Sequence, residues 1–178
     1  WNRRVEELSK GMQQKLQFIV TIIHEPDFLI FDEPFSGFDP VNTNLLKQEI
    51  LELKKKGATI IISTHNMASV EEICDDIVLI DHAKKILEGK LFDIKQKFKK
   101  HLFYIELADF NQDIEEKMPS EFIITQKNKL PKGIGLTLRI PVEMKANEIL
   151  HYFINQSEII TFNEILPSMN EIFIETVQ

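Results

Sequence analysis

Two adjacent carboxylates, Asp32 and Glu33, directly follow the apolar run Phe28-Leu29-Ile30-Phe31 and precede Pro34. A buried strand that ends in acids projects them from the carboxyl end of a sheet, where ligands of α/β folds sit. One such acid can hold Mg²⁺, a hard ion that takes oxygen ligands. The other can orient or deprotonate an attacking water. The plainer alternative is a strand leaving the core into a polar loop, and the pair alone does not choose between them. Upstream lies Leu8-Ser9-Lys10-Gly11-Met12-Gln13-Gln14-Lys15 at the start of a helical pattern. A helix N-terminus offers unpaired N–H groups and the positive end of a dipole, so it attracts phosphate. Ser9 can add a hydroxyl there, and Gly11 lets backbone approach oxygens closely. Lys10 either adds positive charge or points to solvent. Ser9 as a simple N-cap is compatible with both roles. Downstream, Ser36-Gly37-Phe38-Asp39-Pro40 follows the acids, and Ser63-Thr64-His65-Asn66 ends the next strand pattern. A lone histidine in such a place is most often a surface or capping residue.

The elements that must hold these residues alternate between helix and strand. Ser9 to about His24 reads as a helix, with Leu16, Ile19, Val20 and Ile23 at core-facing spacing and Pro26 beyond its end. Phe28 to Phe31 reads as a strand buried on both faces of a parallel sheet. After a loop with Pro34, Gly37 and Pro40, Asn42 to Lys56 reads as a helix with Leu45, Ile50, Leu51 and Leu53 inside, ended by Gly57. Thr59 to Ser63 is a second buried strand, Met67 to Cys74 a short helix, and Ile77–Ile80 with Ile86–Leu87 a strand pair at the sheet edge. This order predicts an α/β layer fold.

The pattern changes at the basic stretch Lys95 to Lys100, which places a domain boundary between residues 97 and 98. Beyond it, Phe103–Leu107, Glu121–Thr125, Gly135–Ile140 and Ile159–Ile165 read as strands. Helical patterns cover Asp113–Lys117, Lys145–Gln156 and Ser168–Val177. The order β-α-β-β-α-β with a terminal helix is the split β-α-β arrangement of a small α+β domain. Alternation in Leu136, Leu138 and Ile140 predicts one wet face on that strand. Phe153, Phe162 and Phe173 sit at core-like positions and need no ligand.

The chain has 178 residues, of which 43% are apolar, enough for one or two packed cores. Its formal net charge of −7 argues against a nucleic-acid partner. A single cysteine, Cys74, excludes an internal disulfide. The most apolar run, Phe18 to Ile23, is far shorter than the ~20 residues of a membrane-spanning helix. The opening Trp1-Asn2-Arg3-Arg4 has no initiator methionine, which leads us to expect further sequence upstream.

Taken together, the four motifs resemble the ABC ATPase family over roughly the first half of the chain. Leu8 to Met12 matches its signature motif, Ile30 to Glu33 closes its Walker B strand, Ser36 to Asp39 is its D-loop, and His65 is its switch histidine. The fold implied is the C-terminal part of a P-loop NTPase core with parallel strands over residues 1–97, followed by the α+β domain at 98–178. The resemblance implies ATP and Mg²⁺ as cofactors. Asp32 would support the metal, Glu33 would be the general base, and His65 would contact the γ-phosphate and the water. Ser9, Lys10, Gly11 and Met12 would face the γ-phosphate of ATP held by the opposite subunit, and Asp39 would act at the dimer interface. The partners implied are a second ATPase subunit, identical or paralogous, and a separate membrane permease, with the protein peripheral at the cytoplasmic face.

Three departures stand out. The usual signature is Leu-Ser-Gly-Gly-Gln, whereas this chain has Lys10 and Met12 at the first glycine and the glutamine. Ala83 occupies a turn where glycine is common. No Gly-x-x-x-x-Gly-Lys-[Ser/Thr] pattern is present, so the printed chain alone is not expected to hydrolyse ATP. Pro167 to Ile174 resembles the terminal helix of many exporter-type members, which leans the reading towards export. A non-catalytic binding module and a non-transport ABC ATPase are the alternatives.

Overall fold

The computed structural model describes residues 4–108, 110 and 112–177. The opening Trp1-Asn2-Arg3 lies outside them. The chain forms two compact units, Trp1–Cys74 and Asp75–Gln178.

In the first unit a 3₁₀ turn, Val5–Glu7, leads to helix α1 (Lys10–Ile22). Ser9 caps α1 with extended backbone, its hydroxyl accepting from Met12 N–H at 3.4 Å. Strand β1 (Phe28–Asp32) pairs in parallel with β2 (Thr59–Ser63), with Leu29 opposite Ile60 and Asp32 opposite Ser63. The crossover between them is helix α2 (Pro40–Lys55), followed after β2 by α3 (Met67–Ile73). α2 starts two residues earlier than its apolar spacing predicts. Pro40 sits at its first turn, where a missing N–H costs nothing, and Asp39 caps it. Lys54 and Lys55 occupy its last turn, favourable to the helix dipole.

The core of this unit joins Phe18, Leu29, Phe31, Phe35, Leu46, Ile50, Leu53 and Ile73. Phe18 stacks on Phe31 with ring centroids 5.3 Å apart. Three expectations are corrected. On α1 the buried residue is Phe18, while Ile19, Val20 and Ile23 are exposed. On α2 Leu45 is exposed and its neighbour Leu46 is buried. The sheet is covered on one face: Leu29 and Phe31 are buried, but Phe28, Ile30 and Ile61 are 54%, 66% and 52% exposed. The physical reason is that α1, α2 and α3 all pack on the Leu29–Phe31 side. Lys47, on α2, is buried as well. Its ammonium lies 2.8 Å from Glu72 Oε2 on α3 and 5.7 Å from the Phe35 ring centroid, a cation–π distance.

In the second unit β3 (Asp76–Asp81) and β4 (Lys84–Lys90) form an antiparallel hairpin with a bulge at Leu79/Ile80. They pair with each other as a two-stranded sheet rather than as the edge of the β1–β2 sheet. The turn residues His82 and Ala83 both have left-handed backbone, φ 46° and 59°. That is the geometry of a tight hairpin. Where glycine would enter freely, Ala83 carries a cost of about 1 kcal/mol.

Helix α4 (Leu91–Lys97) leads to strand β5 (Leu102–Leu107), helix α5 (Gln112–Glu116), strands β6 (Ile123–Leu130) and β7 (Gly133–Arg139), helix α6 (Ala146–Phe153), strand β8 (Ile159–Ile165) and helix α7 (Met169–Val177). The sheet order β6-β7-β5-β8, antiparallel throughout, realises the split β-α-β arrangement. β6 begins two residues later and runs five residues further than the Glu121–Thr125 expectation. Its polar stretch Gln126–Lys129 carries no apolar period, yet it pairs with β7 as a sheet edge. One face of the sheet packs Phe103, Ile105, Leu107, Leu136 and Leu138 against Ile149 and Phe153.

The opposite face of β7 is drier than its alternation predicts. Thr137 is buried, and a Cβ on Gly135 would come within 2.6 Å of the Tyr104 hydroxyl. Glycine is needed there so that the ring can lie on the strand. Ser168 caps α7 reciprocally with Glu171: its N–H and hydroxyl donate to Glu171 Oε2 at 2.7 and 2.8 Å, and Glu171 N–H donates to Ser168 Oγ at 3.2 Å. Among the described residues no helix is long and apolar enough to cross a membrane.

Candidate functional site

The parallel β1–β2 ladder ends at Asp32 opposite Ser63, and the chain turns sharply there. Glu33 adopts left-handed backbone, φ 44°, uncommon for a residue with a side chain. Two hydrogen bonds hold it in that conformation. Glu33 N–H donates to Ser63 O at 2.9 Å, and Glu33 O accepts from Ser36 N–H at 3.1 Å. The turn breaks the strict up-down alternation of the strand, so both carboxylates can serve the strand end. Strain at such a position is characteristic of functional sites.

Glu33 meets the end of β2. Its Oε1 lies 2.6 Å from His65 Nδ1 and accepts from His65 N–H at 3.0 Å. Thr64 Oγ1 donates to its other oxygen at 3.3 Å. The hydrogen bond from His65 holds the Glu33 carboxyl below the usual glutamate range, so it is ionised at neutral pH. A carboxylate fixed at both oxygens is well placed to orient a water. The His65 ring is 88% exposed, so its far nitrogen is open to solvent. Asp32 accepts a short hydrogen bond from Ser63 Oγ, and the remaining carboxylate valence is exposed.

Among the described residues no group of three or more acidic, histidine or cysteine side chains surrounds a common point. Asp32, exposed at the end of β1, could serve as a protein ligand of a divalent ion whose shell is otherwise completed by water and phosphate. That fits Mg²⁺, which keeps several waters, and does not fit an all-protein cage.

The other expected residues sit nearby in sequence on separate supports. Asp39 Oδ1 accepts from Asn42 N–H at 3.0 Å, and the Asn42 backbone and side-chain N–H groups hold its carboxyl below the ordinary range. Asp39 is thus a working cap in this structure. At the α1 N-terminus Lys10 and Met12 are exposed, and a Cβ on Gly11 would meet nothing within 4 Å. The backbone over Gly11 is open to approach from outside. No hydrogen bond among the described residues joins Ser9, Lys10, Gly11 or Met12 to Asp32, Glu33 or His65. The structure therefore joins Glu33 directly to His65 and Asp32 to Ser63, with no hydrogen bond among the described residues from the helix N-terminus to any of them.

Sequence reasoning missed several supports. Gln13 Nε2 donates to Val5 O and Leu8 O, both at 3.1 Å, and fixes the turn before α1. Gln14 Nε2 donates to Ser36 O at 2.8 Å. Thr64 Oγ1 also accepts from Asn66 N–H at 3.1 Å, and Asn66 caps α3 through Ser69 N–H at 3.1 Å. The cap was legible, since Asn precedes a helical run. The glutamine contacts were not, because they depend on tertiary approach.

The chain is similar to several known proteins. Residues 89–177 match the family model described as "ATP-binding protein DrrA1-3-like, C-terminal domain". Residues 2–71 match one described as "AAA domain, putative AbiEii toxin, Type IV TA system". An uncharacterized ABC transporter ATP-binding protein of Alkalihalophilus pseudofirmus is 39% identical over 98% of this chain and 63% of its own length. YhaQ, an uncharacterized ABC transporter ATP-binding protein of Bacillus subtilis, is 40% identical over 99% of this chain and 57% of its own. A fluoroquinolones export ATP-binding protein of Mycobacterium tuberculosis is 45% identical over 43% of this chain and 25% of its own. The chain thus spans about three fifths of the first two relatives. A solved structure of an ATP binding subunit of an ABC transporter is 38% identical, with TM-score 0.50 over 53% of this chain and 39% of that one.

Proposed function

Because this chain belongs to the ABC transporter ATP-binding proteins and carries a DrrA1-3-like C-terminal domain, we propose that the full protein hydrolyses Mg-ATP to drive a separate membrane permease. The observation that carries this reading is the Glu33 carboxylate, held at a strand end by His65 at 2.6 Å and by Thr64. Ionised and oriented, it accepts a hydrogen bond from the attacking water and turns it towards phosphorus. His65 presents its free ring edge to the same space. Asp32 would hold Mg²⁺, which would supply neutralisation of phosphate charge.

The α1 N-terminus, with Ser9, Lys10, Gly11 and Met12, faces outward and is suited to ATP held by a second subunit. Asp39 then lies where two copies meet. Two subunits would enclose two nucleotides, and the proposed domain division falls between residues 97 and 98. Export is supported by the fluoroquinolones export ATP-binding protein among the relatives. The protein would sit peripherally on the cytoplasmic face against its permease. The printed chain has no Walker A pattern, so we expect no turnover from it alone.

The test uses the full protein. Glu33→Gln should lower turnover by about 10²- to 10⁴-fold, the range for removing a positioned acid–base group, while ATP binding persists and Mg-ATP drives dimer formation in solution. Full turnover in that variant would remove Glu33 from the mechanism. His65→Ala should slow hydrolysis too, and an unchanged rate would exclude it.

A further inference from the structure

The loop 34–39 links Glu33, the proposed general base, to the cap of α2, and the Gln14 side chain grips it from α1. Gln13 and Gln14 are consecutive on the helix, so they point about 100° apart. Gln13 reaches back to the turn before the helix, with Val5 O and Leu8 O as acceptors. Gln14 reaches across 22 positions to Ser36 O at 2.8 Å. Its acceptor is a carbonyl, which forces the amide NH₂ towards Ser36 and fixes the other end of the amide.

Gln14 Oε1 is therefore driven into the loop, where it is buried and accepts no hydrogen bond among the described residues. Buried polar atoms left unpaired are uncommon and call for a reason. The loop is shaped around this amide. Gly37 has φ 80°, and a Cβ there would stand 3.2 Å from Gln14 Oε1 and 3.6 Å from Nε2. Gly37 thus meets two demands together, a left-handed turn and a flat amide lying against it.

The geometry points to Gln14 as a positioning residue: it clamps the Ser36–Gly37 peptide so that the loop between Glu33 and Asp39 keeps one shape. The consequence rests on the proposed ATPase reading. Glu33 O is tied to Ser36 N–H, so a shift at Ser36 is transmitted to the strained Glu33 backbone and its carboxylate. Asp39, three residues on, moves with the same loop. Gln14 acts through these two rather than on the reacting atoms themselves.

Two measurements on the full protein separate this proposal from the ATPase reading. Gln14→Met keeps the length of the side chain and removes the donor; Gln14→Asn keeps the amide but falls short of Ser36, and it replaces the first variant if that one does not fold. The expected result is a turnover lowered about tenfold with KM for ATP within about threefold of the parent. Amide exchange at Gly37, Phe38 and Asp39 should quicken while the β1–β2 amides stay protected. Unchanged turnover and unchanged loop exchange would overturn the clamp. A parallel fall in turnover, protection of β1–β2 and thermal stability would also overturn it, because that is the signature of general packing. A parent that hydrolyses no ATP would defeat the ATPase reading instead, and the exchange measurement would still decide whether Gln14 holds the loop.

Discussion

The two units solve opposite problems. The second closes on itself: Ile105, Leu107, Leu136, Leu138, Ile149 and Phe153 are fully buried, and Tyr152 and Phe153 meet edge to face at 4.9 Å. The first leaves apolar residues of β1 and β2 in the open on one face and spends its hydrogen bonds on loops. Glu33, Asp39, Thr64 and Asn66 are all tied to backbone N–H groups or to each other. Stability in the second unit comes from dispersion and apolar burial, which tolerate no missing volume. Geometry in the first comes from directional bonds at exposed positions, which contribute less energy and more definition.

Truncation should show this difference most strongly. Phe153→Ala removes a ring packed on Phe110, Tyr152 and the sheet, and should cost about 3–5 kcal/mol in chemical unfolding. In the 178-residue chain, Phe28→Ala, on the face of β1 that these residues leave uncovered, should cost under about 1 kcal/mol. Equal costs for the two would erase the comparison.

A middle-sized effect comes from Lys47, a buried charge in the first unit. Glu72→Ala strands the Lys47 ammonium beside Phe35 and should cost about 1–3 kcal/mol. Lys47→Met leaves only an exposed carboxylate on α3 and should cost less. The reverse order in thermal melts would mean that Lys47 is hydrated rather than paired.

The smallest effect is a pH slope. The Glu171 carboxyl is held below its ordinary value of 4.5, first by the Ser168 N–H and then by its hydroxyl, with Lys100 and Lys95 adding attraction. A depressed pKa means that the folded form binds the proton less readily than the unfolded form. Its contribution is thus complete above the unfolded value and is lost as pH falls through the lower, folded one. Melting followed from pH 6 down into that acid range should show a decline that Glu171→Gln flattens. An identical profile in the variant would remove the cap from the balance.

Much of this was legible in the sequence. The acids at the end of β1, the Ser9 cap, the histidine after β2 and the β-α-β-β-α-β order all follow from local chemistry and spacing, whereas the Asp39 cap was not read. The misses share a cause. In Leu16 to Ile23 apolar residues are so dense that two helix faces are equally plausible, and the fold chose Phe18 over Ile19 and Val20. Leu45 and Leu46 pose the same choice on α2. Which face of β1 is covered, and which carbonyl Gln14 finds, are settled by tertiary approach, and no window of sequence contains both partners. The polar run of β6 was missed because an edge strand can be held by its ladder alone.

The left-handed backbone at Glu33 has a consequence for how this position can change over evolutionary time. Glycine would enter that conformation without penalty, so the fold by itself favours losing the side chain there. The carboxylate's bonds to Thr64 and His65, and under the proposed mechanism selection for its chemistry, oppose that drift. A descendant relieved of its chemistry should lose the glutamate at this turn early, and lineages that keep a side chain at φ 44° would thereby record that the chemistry is still in use.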